Sequence, residues 1–167
     1  GDREERNLDR MLVTNPRWDF LPRPPKKTDA APQSEIPERS PEAESAQIDL
    51  GEFYNAALAD SWHQGNVTDN TLGDLPTGLQ TFNDVRFDVR GLVQLAGMSQ
   101  IQESRVRFPE QVEGIPVGRE AAALNFLHGT GWKAPLDTTI GRYVVHYANG
   151  ERRTVLMVYG RDVRDWW

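Results

Sequence analysis

The chain contains no cysteine. Disulfide bonds, thiolate zinc sites and cysteine catalysis are therefore excluded, because each of them needs a thiol or thiolate. The absence does not fix the compartment, since exported and cytosolic domains alike can lack cysteine. A basic excess is missing too: the formal net charge is −6. This disfavours nucleic-acid binding, which needs a positively charged stripe to displace counterions from phosphates.

Long apolar runs are also absent. No stretch of the sequence approaches the roughly 20 residues that a helix needs to cross a bilayer, and no signal-peptide pattern is present. The chain begins at Gly1 without methionine, which we interpret as a processed end or the remnant of an expression tag. An export signal or a membrane anchor upstream of Gly1 therefore stays an alternative. We expect a periplasmic or secreted location, with the cytoplasm as the alternative.

The full chain of 167 residues has the size of one domain. Its first 47 residues differ in composition from the rest. Asp2–Val13 carries a capping-box pattern and an apolar face, which predict a short helix. Trp18–Leu21 is predicted to be a hydrophobic clip against the domain or, alternatively, a docking motif, so that residues 1–21 form one unit. Residues 22–47, rich in Pro, Glu, Ala and Ser, are predicted to form an extended, solvated linker.

The segment from Arg142 to Tyr159 carries the clearest structural pattern. Two β-rich runs, Arg142–Ala148 and Glu151–Tyr159, flank Asn149-Gly150, and this dipeptide is typical of a two-residue type I′ hairpin loop. In that register Tyr147 pairs with Arg152. We therefore predict that one face of the hairpin is buried in the core, and that this face contains Tyr143, Val145, Tyr147, Leu156 and Val158.

Other β-rich segments precede this hairpin. Leu79–Val89 is β-rich, and its last part, Val85–Val89, alternates apolar and polar residues. Three further segments also fit short strands: Leu92–Leu95, Gln111–Val117 and Ala121–Leu127. Seven or eight short strands separated by turn signals are typical of an all-β, antiparallel β-sandwich. We assign this sandwich to residues 48–167.

The residue types of common enzymes do not form a recognisable pattern. The three histidines, His63, His128 and His146, are far apart and lack metal-ligand spacing. Asp84 and Asp88 are interpreted as strand-surface residues rather than an acid–base pair, and no serine stands in a G-x-S-x-G elbow. We expect a protein that is not an enzyme, without cofactor or metal. The loop at Asn66–Asp74 could hold structural calcium, but turn chemistry is the favoured interpretation.

Aromatic residues near loops offer a different chemistry. Flat rings can stack on sugar rings while arginine contacts hydroxyls, although the same rings can cap a core or anchor a protein interface. Core capping is the competing interpretation for Trp132, and Trp166 and Trp167, as neighbours in a strand, would point to opposite faces. The candidate ligand-binding residues are Trp62, His128, Trp132, Arg142 and Trp166.

Three segments carry a family resemblance: residues 75–95 with FDVRG, residues 113–132 with FLH, and residues 140–167 ending in GRDVRDWW. They resemble a poorly characterised bacterial accessory domain that is similar to galactose-binding-like, jelly-roll sandwiches and carbohydrate-binding modules. The resemblance implies a non-catalytic module that binds carbohydrate or a cell-surface ligand within a larger protein. It assigns no catalytic or ligand residue.

The resembled domains continue past the tryptophan pair, whereas this chain stops at Trp167. The domain is therefore predicted to be incomplete at its C-terminus and to have an open strand edge, which is an aggregation hazard unless covered. We expect residues 1–21, a second copy or a neighbouring domain to cover it. A structural or assembly domain that makes protein contacts is the alternative function.

Overall fold

The computed structural model describes residues 28–61, 70–98, 101 and 106–165. The predicted helix at Asp2–Val13, the clip at Trp18–Leu21 and the first part of the linker lie outside the described residues. The described elements include a turn of 3₁₀ helix, Gly51–Phe53, and eight strands: β1 Thr28–Asp29, β2 Ala56–Ala57, β3 Gly78–Phe82, β4 Val85–Val89, β5 Gly91–Leu92, β6 Val106–Arg107, β7 Thr139–His146 and β8 Arg152–Val158.

The described strands form four two-stranded sheets. β1 pairs with β6 in parallel, whereas β2–β5, β3–β4 and β7–β8 are antiparallel. The chain is therefore β-rich and mainly antiparallel, as the alternating pattern predicts. Among the described residues the pairs do not join into larger sheets, so the jelly-roll sandwich stays a prediction.

The β3–β4 hairpin turns at Asn83-Asp84. Both residues have positive φ, +47° and +64°, which is the type I′ conformation that Asn and Asp tolerate and that matches the twist of the strands. Asp84 was predicted to lie on a strand surface, and this prediction is wrong because the residue forms the loop. Leu79–Val89, predicted as one β-rich segment, folds back on itself at this dipeptide.

Among the described residues, two small clusters of buried side chains share partly buried Leu92. One contains Ala56, Val106 and Phe108, and the other contains Leu58, Leu72 and Val89. Phe82 and Phe87 pack against the second cluster, with ring centroids 6.2 Å apart. The alternation in β4 places Phe87 and Val89 on this apolar side.

The opposite side of β4 carries a buried ion cluster, which we define as Arg39, Asp49, Asp88 and Arg90. The side chain of Asp88 is 3% exposed, and its Oδ2 lies 2.9 Å from Arg90 Nε. That N–H does not point along the contact, since the pair does not meet hydrogen-bond geometry. Arg39 Nη1 lies 3.9 Å from the same Oδ2 atom, and Arg90 also pairs with Asp49. The prediction that Asp88 is a strand-surface residue is therefore wrong.

The described part of the predicted linker, residues 28–47, packs onto this framework. Gln33 and Ser34 donate their backbone N–H groups to the buried carboxylate of Asp60, at 2.9 and 2.8 Å. Arg39 donates to the carbonyl of Gln47 at 2.6 Å. The polar composition of this segment predicted a solvated linker. In the structure its polar groups form hydrogen bonds and ion pairs with the rest of the chain, and composition alone does not predict such contacts. The predicted domain boundaries are a separate expectation and stay predictions.

Two predicted strands do not form. Gln111–Val117 and Ala121–Leu127 have irregular backbone, and most of their residues are exposed. Gly114 and Gly118 adopt φ of +79° and +62°, which interrupts an extended strand. A strand also needs a partner for its N–H and C=O groups, and neither segment has one among the described residues.

Gly91 in β5 has no room for a side chain. A Cβ atom there would lie 2.9 Å from Cγ of Tyr54 and 3.1 Å from Cδ1 of Ile36. We expect Gly91→Ala to lower the free energy of unfolding by about 1–3 kcal/mol, because the buried ring must move. Urea denaturation measures this loss. Gly97→Ala is the matched control, since nothing lies within 4 Å of a Cβ atom there, and an equal loss in both variants would contradict the packing argument.

Candidate functional site

The β7–β8 pair, which we call the ribbon, is the longest sheet of the described chain. Its register pairs His146 with Arg152 and Tyr143 with Val155. The backbone N–H of Tyr147 donates to the carbonyl of Glu151 at 2.8 Å, and that of Gly150 donates to the carbonyl of Tyr147 at 2.9 Å. The loop therefore has three residues, Ala148–Gly150, with Gly150 at φ +87°, as in a type I turn followed by a glycine bulge.

This register corrects the predicted hairpin by one residue. Tyr143, Val145 and Tyr147 share a face with Arg153 and Val155, whereas Leu156 lies on the other face, opposite Arg142. The predicted core face is therefore wrong, because a shift of one residue exchanges the faces of one strand relative to the other. Both faces also meet solvent: Tyr147 is 48% exposed on one face and Leu156 is 50% exposed on the other.

The base of the ribbon is anchored in the fold. Val158, Tyr159 and Val163 are buried, and the backbone N–H of Tyr159 donates to the carbonyl of Thr138 at 2.8 Å. Asp162 accepts the N–H of Val158 through Oδ2 at 2.8 Å. The ribbon thus projects from a fixed base, and its outer part is accessible on both faces and along both edges.

Three rings form an aromatic cluster on the Tyr143 face: Phe126, His128 and Tyr143. The rings of Phe126 and Tyr143 are stacked, with centroids 3.9 Å apart and planes inclined by 15°. The imidazole of His128 lies beside Tyr143 in a nearly parallel plane, with centroids 6.0 Å apart. Phe126 remains 45% exposed, so the cluster presents an aromatic surface to solvent.

Hydrogen bonds fix His128 in this cluster. Its Nδ1 lies 2.9 Å from the hydroxyl oxygen of Tyr143, and its Nε2 lies 3.2 Å from the carbonyl oxygen of Asp162. A carbonyl only accepts, so Nε2 carries the proton and donates, and in the neutral ring Nδ1 accepts from Tyr143. Burial raises the pKa of Tyr143, which keeps its hydroxyl protonated as the donor. His128 therefore connects the hydroxyl of Tyr143 to the backbone carbonyl of Asp162 through its two ring nitrogens.

The structure separates the predicted ligand-binding residues. His128 belongs to the aromatic cluster, but Arg142 points from the opposite face of the ribbon, since adjacent strand residues alternate. Trp132 is half-buried in the loop before β7, where its carbonyl accepts from Thr130 Oγ1 at 3.4 Å. Trp62 and Trp166 lie outside the described residues.

Phe126 and Tyr143 are functional candidates that the sequence reasoning missed. Phe126 was assigned to a buried strand, and Tyr143 to the core. The usable signal was the spacing of Phe126 and His128, because residues two apart in an extended segment face the same side. Only the tertiary contact with Tyr143 turns that spacing into a ring stack.

The other face of the ribbon carries a shallow hollow of about 260 Å³ lined by Arg142, Val144, Arg152 and Thr154. We call this the arginine face, with His146 and Leu156 as its remaining strand residues. Val144 is opposite Thr154 in the middle, and Arg142 and Arg152 stand on either side of that pair. Both arginines are exposed, and neither forms an ion pair among the described residues.

The ion cluster contains the buried side chains of Asp88 and Arg90, and its contacts assign it a structural role. Arg90 lies with its guanidinium carbon 5.4 Å from the ring centroid of Tyr54. The N–H of Gly51 holds the pKa of Asp49 below its ordinary value, and Arg90 acts in the same direction against the opposing effect of burial. These contacts attach residues 37–49 to β4 and β5.

Metal ligation has no candidate centre in the described ranges. They contain no group of three or more His, Asp or Glu side chains that could hold an ion. The predicted calcium alternative at Asn66–Asp74 lies partly outside the described residues. In its described part Thr71 accepts the N–H of Gly73 through Oγ1 at 3.2 Å, which is the local turn chemistry expected of such a loop.

Comparison with protein-family models, with curated proteins and with solved structures found no match. No helix within the described ranges has the length and hydrophobicity that a membrane span requires. The functional argument therefore depends on the chemistry of the ribbon and of the residues beside it.

Proposed function

We propose that this chain is a non-catalytic β-rich binding module that holds carbohydrate at the aromatic cluster. The observation that carries the proposal is the stack of Phe126 on Tyr143, which His128 fixes and which leaves Phe126 45% exposed. Aromatic rings bury large apolar area at low conformational cost, and a sugar ring can stack on such a surface. Tyr147 lies on the same face of the ribbon as Tyr143 and adds a hydroxyl group there.

The resemblance to galactose-binding-like sandwiches and carbohydrate-binding modules supports the same proposal. In this proposal the small sheets belong to one galactose-binding-like sandwich. A carbohydrate-binding module of a bacterial surface protein would act outside the cytoplasm, in the periplasm or after secretion. It would need no cofactor and no metal.

Phe126→Ala is expected to weaken glycan binding about tenfold, which corresponds to about 1.4 kcal/mol, because it removes the exposed ring of the stack. A glycan array identifies the sugar, and intrinsic fluorescence titration with it measures the affinity. Leu127→Ala is the matched control, since Leu127 is adjacent, apolar and 52% exposed but is not part of the ring stack. Equal loss in both variants, or no glycan response of the unaltered chain, would overturn the proposal.

A protein-assembly role is the second candidate, and the ribbon supports it by a separate observation. Neither outer edge of the ribbon pairs with another described strand, and Val155 and Leu156 are 44% and 50% exposed. Unpaired edges with apolar side chains are templates for strand addition. Here the occupant would be residues 1–21, a second copy or a neighbouring domain.

Sedimentation velocity over a range of concentrations separates this candidate from the first. Concentration-dependent association without a glycan response favours assembly. A stable monomer whose residues 1–47 are readily cleaved by protease would count against coverage of the edge by residues 1–21 or by a second copy.

A further inference from the structure

We infer that the arginine face is a second binding site, specific for an acidic polysaccharide whose carboxylate or sulfate groups pair with Arg142 and Arg152. This inference goes beyond the aromatic cluster, although it rests on the proposed role of the chain as a carbohydrate-binding module. The site lies on the opposite face of the same ribbon, so one element would contact two different parts of a glycan or two glycans.

The register brings the two arginines to one hollow. Arg142 lies in β7 and Arg152 in β8, two residues on either side of the Val144–Thr154 pair. Four residues of strand correspond to roughly 13 Å between their Cα atoms, yet both side chains line the same 260 Å³ hollow. Two long guanidinium side chains therefore reach a common space from its opposite ends.

Among the described residues, no carboxylate forms an ion pair with the two arginines of this face. The ribbon and its loop contain three arginines and one acidic residue, Glu151, in a chain whose net charge is −6. Glu151 pairs across the loop with Tyr147 on the other face, so the arginine face has two guanidinium groups and no carboxylate. Arginine forms paired hydrogen bonds with carboxylate and other oxyanions, so the missing partner is an anion.

The floor of the hollow favours a carbohydrate over an acidic peptide. Thr154 offers a hydroxyl that can both donate and accept, as sugar hydroxyls require, and Val144 gives a small apolar surface. A peptide strand would instead bind along the edge of the ribbon through its backbone, which places little of it on this face.

The test uses the full chain and three single variants, Arg142→Gln, Arg152→Gln and the matched control Arg153→Gln. Arg153 is the neighbour of Arg152 in β8 but lies on the opposite face, across from Val145. All three variants remove one charge from an exposed position. Isothermal titration calorimetry measures binding to dextran sulfate, polygalacturonate, neutral dextran and polyglutamate at low ionic strength, where surface charges are least screened.

We expect binding to dextran sulfate, to polygalacturonate or to both, and none to neutral dextran; which of the first two binds identifies sulfate or carboxylate as the recognised group. Arg142→Gln and Arg152→Gln should each weaken this binding about tenfold, as loss of a charge-assisted hydrogen bond predicts. Arg153→Gln should change it by less than about twofold, the effect of a distant screened charge. Arg142→Gln and Arg152→Gln should weaken binding of the acidic polymer more strongly than Phe126→Ala does, which separates this site from the aromatic cluster.

Three results would overturn the inference. An equal loss in Arg153→Gln would mean that net charge, and not the hollow, attracts the polymer. Polyglutamate binding as tightly as the polysaccharides, with the same dependence on Arg142 and Arg152, would assign the face to an acidic peptide. No binding to either acidic polysaccharide would remove the site. All three arginines are exposed, so we expect each variant to keep the fold. Circular dichroism of each variant checks this.

Discussion

Asp88→Ala is expected to lower the free energy of unfolding by about 1–3 kcal/mol, because it leaves the buried guanidinium of Arg90 with one of its two carboxylates. The side chains of Asp88 and Arg90 are 3% and 7% exposed, and their Oδ2 and Nε atoms lie 2.9 Å apart. A loss of this size is a large fraction of the 5–15 kcal/mol that stabilises a typical domain. Urea denaturation followed by circular dichroism measures it.

The same hairpin provides a matched control. Arg86, two residues from Asp88 in β4, pairs with Glu44 at 3.0 Å, but these side chains are 45% and 66% exposed. Glu44→Ala should therefore cost less than about 1 kcal/mol. Similar losses in Asp88→Ala and Glu44→Ala would contradict the assignment of Asp88 to a buried ion cluster that attaches residues 37–49 to the sheet.

Asp60→Ala is expected to cost about 3 kcal/mol, since it removes the acceptor of three backbone N–H groups. Gln33, Ser34 and Ala57 donate to its carboxylate at 2.8–2.9 Å, and Asp60 is 5% exposed. Residues 33–34 would lose their attachment to the turn after β2. The measurement is the urea midpoint together with proteolysis after residue 34, and Asp74→Ala, at an exposed turn residue, is the control expected to change little.

The same carboxylate makes stability depend on pH. Burial by itself would raise the pKa of Asp60, but the N–H groups of Ala57 and Gln33, with Ser34, outweigh it and hold the pKa below its ordinary value of 3.8. A lowered pKa in the folded state means that the stabilisation is complete above the unfolded value and is lost as the pH falls through the folded one. We expect Asp60→Asn to flatten the acid side of the stability profile below about pH 4. An unchanged profile would contradict this role.

The sequence pattern was informative where local chemistry decides the structure. Asn149-Gly150 located the turn of the ribbon, because glycine with positive φ is needed there whatever the loop length. It did not decide between a two-residue loop and a three-residue loop with a glycine bulge. The extra loop residue shifts the register by one, so that the residues of β8 lie on the opposite face from the predicted one. The same local rule would have located the type I′ turn at Asn83-Asp84.

The parts that depend on tertiary contact were not accessible from the pattern. Alternation placed Asp88 on the polar side of β4 correctly, but it could not show that residues 37–49 cover that side. Likewise, Arg142 was identified as a candidate but Arg152 was not, because only the register shows that both side chains line the same hollow. Tyr143 was assigned to the core because one face of the hairpin was expected to pack against the rest of the fold. In the structure, residues on both faces of the ribbon are exposed.

Both binding proposals depend on the register of the ribbon, which nuclear Overhauser contacts between Hα protons test most directly. Since Tyr147 and Glu151 form a hydrogen-bonded pair, the alternate pairs are not hydrogen-bonded and their Cα atoms approach to about 4.5 Å. We predict Hα–Hα contacts for the pairs His146–Arg152, Val144–Thr154 and Arg142–Leu156. Contacts between Val145 and Thr154, or between Tyr143 and Leu156, would place Thr154 and Leu156 on the Tyr143 face and contradict the arginine face described here.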